Sequence, residues 1–252
     1  MLDEVLWPKT PFPLEPSLLL VGRRGSESNG TRIPSSNPDR DLMGIIVPPD
    51  PWTLGLKTWE GAEEINGVWD VVLYDFRKFV RLLVKQNPNV LGMLWLEAED
   101  YMLVTPIADR LIAAREMFRA RMPAYEAFSG YARDQLQKMT TGKVNGTMGA
   151  KRKALVERFG FDCKNASQLV RLLHEGEEYQ RTGRLQVRRT WDREMLIEIK
   201  TGEWSLERVK EYAEARFRKI AAAVNESVLP EAVDEEAVNA LVVRIMRGRL
   251  QP

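Results

Sequence analysis

The sequence holds one cysteine, Cys163, and one histidine, His174, in 252 residues. A disulfide framework needs paired cysteines, and zinc sites draw chiefly on histidine and cysteine, so neither organises this chain. A charge excess of one sign is also missing. Basic residues number 37 against 36 acidic, a net charge of +1, so any nucleic-acid contact must come from a local patch. No apolar run approaches the roughly 20 residues that span a bilayer. No G-x-x-x-x-G-K-[ST] loop occurs, which removes the P-loop ATPase class. The opening MLDEVLWPKTPFP is acidic and proline-broken, unlike a secretion signal. Hydrophobic residues make up 44% and charged residues 29%, the balance of a folded chain rather than a disordered one. These absences predict a cytoplasmic protein without a membrane partner.

Proline is unevenly spread. Twelve of the 14 prolines lie at or before Pro123, and only Pro230 and Pro252 follow it. Proline is excluded from helix interiors and marks turns and edges. The first half is therefore expected to be rich in loops and strands, and the second to carry long helices. A domain of residues 1–122 and a helical domain of residues 123–252 follow from that division. Leu18–Val21, Asp41–Val47 and Val68–Tyr74 read as strands, apolar or β-branched and bounded by Gly or Pro. Asp75 is placed to cap a helix that buries Phe76, Phe79, Val80 and Leu83, and Thr105-Pro106 reads as another helix start. Later helices are expected near 123–140, 150–159, 164–181, 191–200, 205–226 and 234–247. Gly160, Gly183, Gly202 and Gly248 stand at their ends, and a short strand is expected at Leu185–Arg189.

Chemistry is concentrated in LLLVGRRGSESNGTRIPSSNPDRDLMGIIV, residues 18–47. A strand runs into the turn Gly25-Ser26, with Gly30 close behind. Glycine allows backbone amides to approach a phosphate closely, and the serine hydroxyl adds a donor. A polar loop then leads to Asp39 and Asp41 at the start of a strand. In an extended chain residues i and i+2 share a face, so this D-x-D can present two carboxylates together. Two adjacent carboxylates repel unless a divalent cation lies between them. With magnesium that is an arrangement for phosphoryl or nucleotidyl transfer. Asp70, an acid inside the apolar VWDVVLY, is the candidate third carboxylate, because an unpartnered acid there is costly. The plainer readings are two solvated loop acids, a helix cap at Ser26 and an ion pair between Asp70 and Arg77.

The order G-S-x-x-x-G-T and then D-x-D at a strand start resembles the nucleotidyltransferase signature of the DNA polymerase β superfamily. More narrowly, the chain is similar to the predicted nucleotidyltransferases associated with RNA ligases in bacteria and phages. Seven strings carry that likeness in the family's order: GSESNGT, DRDLMGI, DVVLYDFRKFVRLLVKQNPNVLGMLW, FSGYARDQLQKM, GFDCKNASQLVRLL, TGRLQV and TGEWS. Any one of them is weak; together they are strong. The resemblance implies an α+β fold, a polymerase-β-like domain with a small mixed sheet flanked by helices, followed by a mainly helical C-terminal domain. It matches Gly25 and Ser26 to the phosphate-binding turn, Asp39 and Asp41 to the metal-binding pair, and Asp70 to the acid of the third-strand motif. Pro38 stands where the family usually has serine, Gly92 where glutamate is common, and Asn165 and Gln168 where histidines are common. The last two substitutions remove titratable groups from their helix. The activity implied is transfer of a nucleoside monophosphate from an NTP such as ATP to an acceptor hydroxyl, with Mg2+ or Mn2+ as cofactor.

A second constellation follows Lys164. Lys164, Gln168, Arg171 and Glu175 recur at helical spacing opposite Ala166, Leu169, Val170 and Leu173. Facing a cleft, Lys164 and Arg171 would grip a triphosphate or an acceptor phosphate. Facing solvent, the same stripe is an ordinary charged surface paired with Glu175 and Glu178. No acidic residue lies between Asp134 and Glu157, whereas Lys138, Lys143, Lys151, Arg152 and Lys153 are all basic, and three glycines accompany them. That stretch suits a polyanion, with Arg188 and Arg189 as possible additions. With the RNA-ligase association it points to an RNA end as acceptor. A protein or small-molecule acceptor, or a catalytically silent module that binds RNA or a partner protein, are the alternatives. His174, Cys163 and the tryptophans are assigned to packing or surface.

Overall fold

The computed structural model describes residues 2–33, 40–141 and 156–250. Asp39 and most of the basic, glycine-rich stretch lie outside the described residues. The fold is α+β, with a mixed five-stranded sheet, flanking helices and a helical C-terminal region. By internal contacts the chain divides into two compact units, Met1–Arg119 with Val233–Pro252, and Ala120–Ala232.

The first unit is built on the sheet. β1 (Leu18–Arg23) leads into a single helical turn, α1 (Gly25–Ser28), and β2 (Arg40–Ile46) returns beside β1. A second turn, α2 (Asp50–Thr53), precedes β3 (Gly61–Asn66) and β4 (Trp69–Asp75), which form a hairpin. Then come α3 (Phe76–Val84), α4 (Pro88–Leu91), β5 (Tyr101–Val104) and α5 (Pro106–Ala113). The strand order is β3-β4-β2-β1-β5; β2 pairs with β4 in parallel, and the other described pairings are antiparallel. β1 and β2 are central and buried, which is why their residues read as continuous apolar runs. The sequence reading missed β3 and β5. Both are edge strands: GAEEIN is polar, with Ile65 exposed, and YMLV is four residues long.

One face of the sheet, with Val21, Leu42, Ile46, Val71 and Leu73, is covered by the N-terminal segment and its aromatics. Phe12 meets Trp52 and Trp59 edge-on at 5.2 and 5.3 Å. On the other side α3 packs on β2 and α5 on β1. Asp75 caps α3 by accepting from the amides of Arg77 and Lys78, and Phe76, Phe79, Val80 and Leu83 are buried as the helical period required. Thr105 caps α5 and also donates its hydroxyl to the Leu19 carbonyl at 2.9 Å, tying the helix to β1.

The second unit is helical. α6 (Arg121–Thr141) packs on α7 (Cys163–Thr182), and α8 (Arg193–Thr201) and α9 (Leu206–Asn225) pack on α7 in turn. Gly176 of α7 makes this possible. A Cβ there would lie 2.8 Å from the Phe128 Cβ of α6 and 2.5 Å from Ile220 of α9. Gly183 and Gly202 end their helices in the left-handed conformation, as expected. Two expectations fail. Leu185–Arg189 is irregular rather than a strand, because among the described residues the second unit holds no strand to pair with it. Gly248 lies inside the final helix, α10 (Glu235–Leu250), instead of ending it. α10 groups with the first unit, where it contacts α3 and α5 and buries Val238 and Ile245.

Candidate active site

The β2–β4 register places Arg40 opposite Trp69 and Asp41 opposite Asp70. Facing residues of paired strands project to the same side, and alternation sets Asp41 and Asp70 opposite the face that carries Leu42 and Val71. Neighbouring strands lie about 4.8 Å apart, so both carboxylates can reach one small cation with oxygen ligands about 2.1 Å away.

The turn after β1 closes on this pair. Gly25 adopts φ +68°, and a Cβ built on it would overlap the Asp41 Oδ2. Only glycine provides both the conformation and the space. The Arg24 amide donates to the Asp41 carbonyl at 2.8 Å, which stitches the end of β1 to the start of β2. Beyond it the turn is closed by its own amides: Asn29 N to Gly25 O, Gly30 N to Glu27 O and Thr31 N to Ser26 O. Gly25 and Asp41 are thus in direct contact, with Asp70 across one strand spacing and Ser26 one residue on from Gly25.

Arg24 is the residue that sequence reasoning missed. Its Nη2 donates to Asp70 Oδ1 at 2.5 Å and its Nε to the Leu42 carbonyl at 3.2 Å. Asp70 therefore pairs with Arg24, whereas Arg77, the partner weighed from sequence, turns to Asp75 at 3.4 Å. Asp70 and Arg24 side chains are 29% and 27% exposed, so the pair is half-buried. The available signal was two consecutive arginines where a strand runs into a Gly-Ser turn. The other, Arg23, pairs with Glu27 at 3.5 Å and donates to the Glu99 carbonyl.

The donor set suits a hard divalent cation such as magnesium or manganese: carboxylate oxygens from adjacent strands, beside a glycine turn that leaves room for phosphate oxygens. Among the described residues no three His, Cys, Asp or Glu side chains gather as a complete metal cluster. Of the three carboxylates expected from the sequence, Asp39 lies outside the described residues.

The remaining candidates belong to the second unit. Lys164 is exposed near the start of α7. Arg171 sends Nη1 to both oxygens of Glu175 at 2.8 Å, and Glu175 is buried rather than part of a solvated stripe. Burial pushes the Glu175 carboxyl up, and the Arg171 and Arg189 charges oppose that. Asn165 is buried, its backbone N–H donating to the Asp162 cap at 3.0 Å. Arg189 is a correction: it is 1% exposed and adds nothing to a basic surface. Its guanidinium meets both oxygens of Glu178 at 2.7 Å and both of Asp192 at 2.9 and 3.0 Å. Asp192 in turn holds His174 Nδ1 at 2.5 Å, and His174 Nε2 meets the Tyr212 hydroxyl at 3.0 Å. Burial pushes the His174 pKa down against the pull of Asp192. Cys163 is equally inert: burial, helped by the Asp162 charge, pushes its thiol up to about 11.

A model of the RNA repair pathway DNA polymerase beta family matches residues 14–244. No curated protein sequence matches the chain. Among solved structures it is similar to a nucleotidyltransferase-like protein from Exiguobacterium sibiricum, at 12% identity and a TM-score of 0.30, over 94% of this chain and 76% of that one. Among the described residues no helix is long and apolar enough to cross a membrane.

Proposed function

The chain belongs to the RNA repair pathway DNA polymerase beta family, and on that premise we propose that it transfers a nucleoside monophosphate from an NTP to the hydroxyl of an RNA end. The observation that carries this reading is the in-register pairing of Asp41 with Asp70 beside the Gly25 turn. Asp39, Asp41 and Asp70 are the proposed ligands of Mg2+ or Mn2+. When bound, the cation neutralises charge on the phosphate oxygens and favours in-line displacement. The amides and hydroxyl at Gly25 and Ser26 hold the β- and γ-phosphates. In this reading Asp70 favours deprotonation of the acceptor hydroxyl and takes up its proton. The acceptor oxygen forms its bond to the α-phosphorus, the bond from that phosphorus to the bridging oxygen breaks, and pyrophosphate leaves with the electron pair.

The test is transfer of labelled nucleotide from each of the four NTPs to pools of RNA, DNA and protein with manganese. Asp41→Asn and Asp70→Asn are each expected to lower labelling on the order of 100-fold or more. Labelling equal to wild type in both would overturn the reading. One observation favours a second possibility, a silent RNA-binding module: Arg24 already supplies a positive charge to Asp70. Salt-dependent RNA binding with no labelling by wild type would select it.

For the acceptor, Lys164 and Arg171 are proposed as phosphate contacts, together with the basic residues from Lys138 to Lys153. Lys164→Gln is the cleaner probe, since removing Arg171 strands the buried Glu175. Its salt dependence of RNA binding, as the slope of log K against log salt, is expected to fall by about one. An unchanged slope would remove Lys164 from the interface.

A further inference from the structure

Arg24 occupies the position on Asp70 that the proposed reaction needs for something else. We infer that Arg24 exchanges Asp70 for the phosphates of the incoming nucleotide, so that nucleotide arrival releases the carboxylate. This inference rests on the reading of the site as a nucleotidyltransferase centre.

Three observations support it. First, Arg24 is fixed to the site by its backbone and not only by its side chain. Its amide donates to the Asp41 carbonyl at 2.8 Å, and the next residue is Gly25 of the phosphate turn. The guanidinium can therefore leave Asp70 without leaving the site. Second, the contact with Asp70 is made through Nη2 to one oxygen, with Nε spent on the Leu42 carbonyl at 3.2 Å. It is a single-pronged pair, short of the forked geometry that makes arginine–carboxylate pairs hardest to displace. Third, both side chains are part-exposed, at 27% and 29%, so solvent screening weakens the attraction that must be given up.

The chemistry of exchange follows. A guanidinium binds phosphate oxygens with the same planar donors that it offers a carboxylate, and a triphosphate carries several negative charges where Asp70 carries one. Before nucleotide binds, Arg24 neutralises part of the repulsion between Asp41 and Asp70, and this lets two carboxylates sit in register on adjacent strands. After exchange the same charge screens the phosphates, and Asp70 is free to serve as ligand and proton acceptor. Arg24 would thereby prevent productive cation loading until the nucleotide is present.

Arg24→Gln is the test, with two readouts that move in opposite directions. Nucleotide-free Mn2+ binding, followed by the paramagnetic resonance of free manganese, is expected to tighten about tenfold, within the usual range of coupling between two ligands. Binding of a fluorescent ATP analogue in EDTA is expected to weaken by a similar factor. A merely structural arginine would weaken both when removed, and a passive counter-charge would leave metal-free nucleotide binding unchanged. Either result overturns the inference while leaving the nucleotidyltransferase reading intact. Absence of Mn2+ binding in wild type and variant alike would overturn the metal-site reading and this inference with it. Should Arg24→Gln fail to give a cooperative melt, Asp70→Asn decides. There Arg24 loses its carboxylate partner, so metal-free nucleotide affinity should rise several-fold, and no rise overturns the exchange.

Discussion

Gly25 holds φ at +68° in contact with the Asp41 carboxylate, and that contact puts the first prediction at the scale of one atom. Alanine at position 25 carries a left-handed backbone cost of roughly 1–2 kcal/mol. Its methyl must also push the Asp41 carboxylate away from its place opposite Asp70. Gly25→Ala is therefore expected to remain folded, to lose stability by that small amount in urea unfolding, and to lose labelling at least tenfold. Loss of stability with full labelling would show that the Gly25–Asp41 contact is incidental to catalysis. The glycine itself was readable in the sequence, as part of G-S-x-x-x-G-T. Its contact with Asp41, sixteen positions on, was not.

At the scale of elements, the segment between α7 and α8 is governed by charge. Leu185, Val187 and Arg189 alternate as a strand would, yet the segment is irregular and Arg189 is buried between Glu178 of α7 and Asp192 beside α8. Arg189→Ala leaves those two carboxylates facing each other without a counter-charge. Removal of one member of a buried ion network typically costs about 3–5 kcal/mol. The expected result is an urea midpoint shifted by that amount, and a shift below ~1 kcal/mol would mean that the network is easily rebuilt. The helices themselves were legible: Asp75 and Thr105 cap where their side chains predicted, and α7 and α9 fall within one residue of the expected ranges. β3 and β5 were not, because an edge strand keeps polar or few residues and its ladder is supplied by β4 or β1.

For the whole molecule the network implies a direction of acid sensitivity. His174 is buried, with its pKa below the ordinary 6.5, and contacts Asp192, Tyr212 and the ring of Trp191 at 4.8 Å, with the charges of Arg189 and Arg216 nearby. Asp192 also has a lowered pKa. Burial pushes it up, but the hydrogen bonds from His174 and Arg189 outweigh that. A group whose folded pKa is depressed contributes stability above its unfolded pKa and loses it as pH falls towards the folded value. For His174 the loss begins near pH 6.5, and for Asp192 it begins only below its ordinary 3.8. Thermal unfolding of wild type should therefore weaken between pH 7 and 5, whereas His174→Gln should start lower and show a flatter dependence. Parallel curves for the two proteins would contradict the assignment.

The sequence alone determined the class of fold and the kind of chemistry, because both depend on local pattern. Proline spacing separated a strand-rich half from a helical one, caps and glycines bounded the helices, and a glycine-serine turn followed by spaced aspartates resembled one family. Tertiary structure decided what each charge is for. The pairing of Asp41 with Asp70 is a matter of strand register, the hold of Arg24 on Asp70 spans forty-six positions, and the inward turn of Arg189 depends on two carboxylates brought near by helix packing. Charges choose partners by distance in space, and no periodicity along a chain encodes that distance.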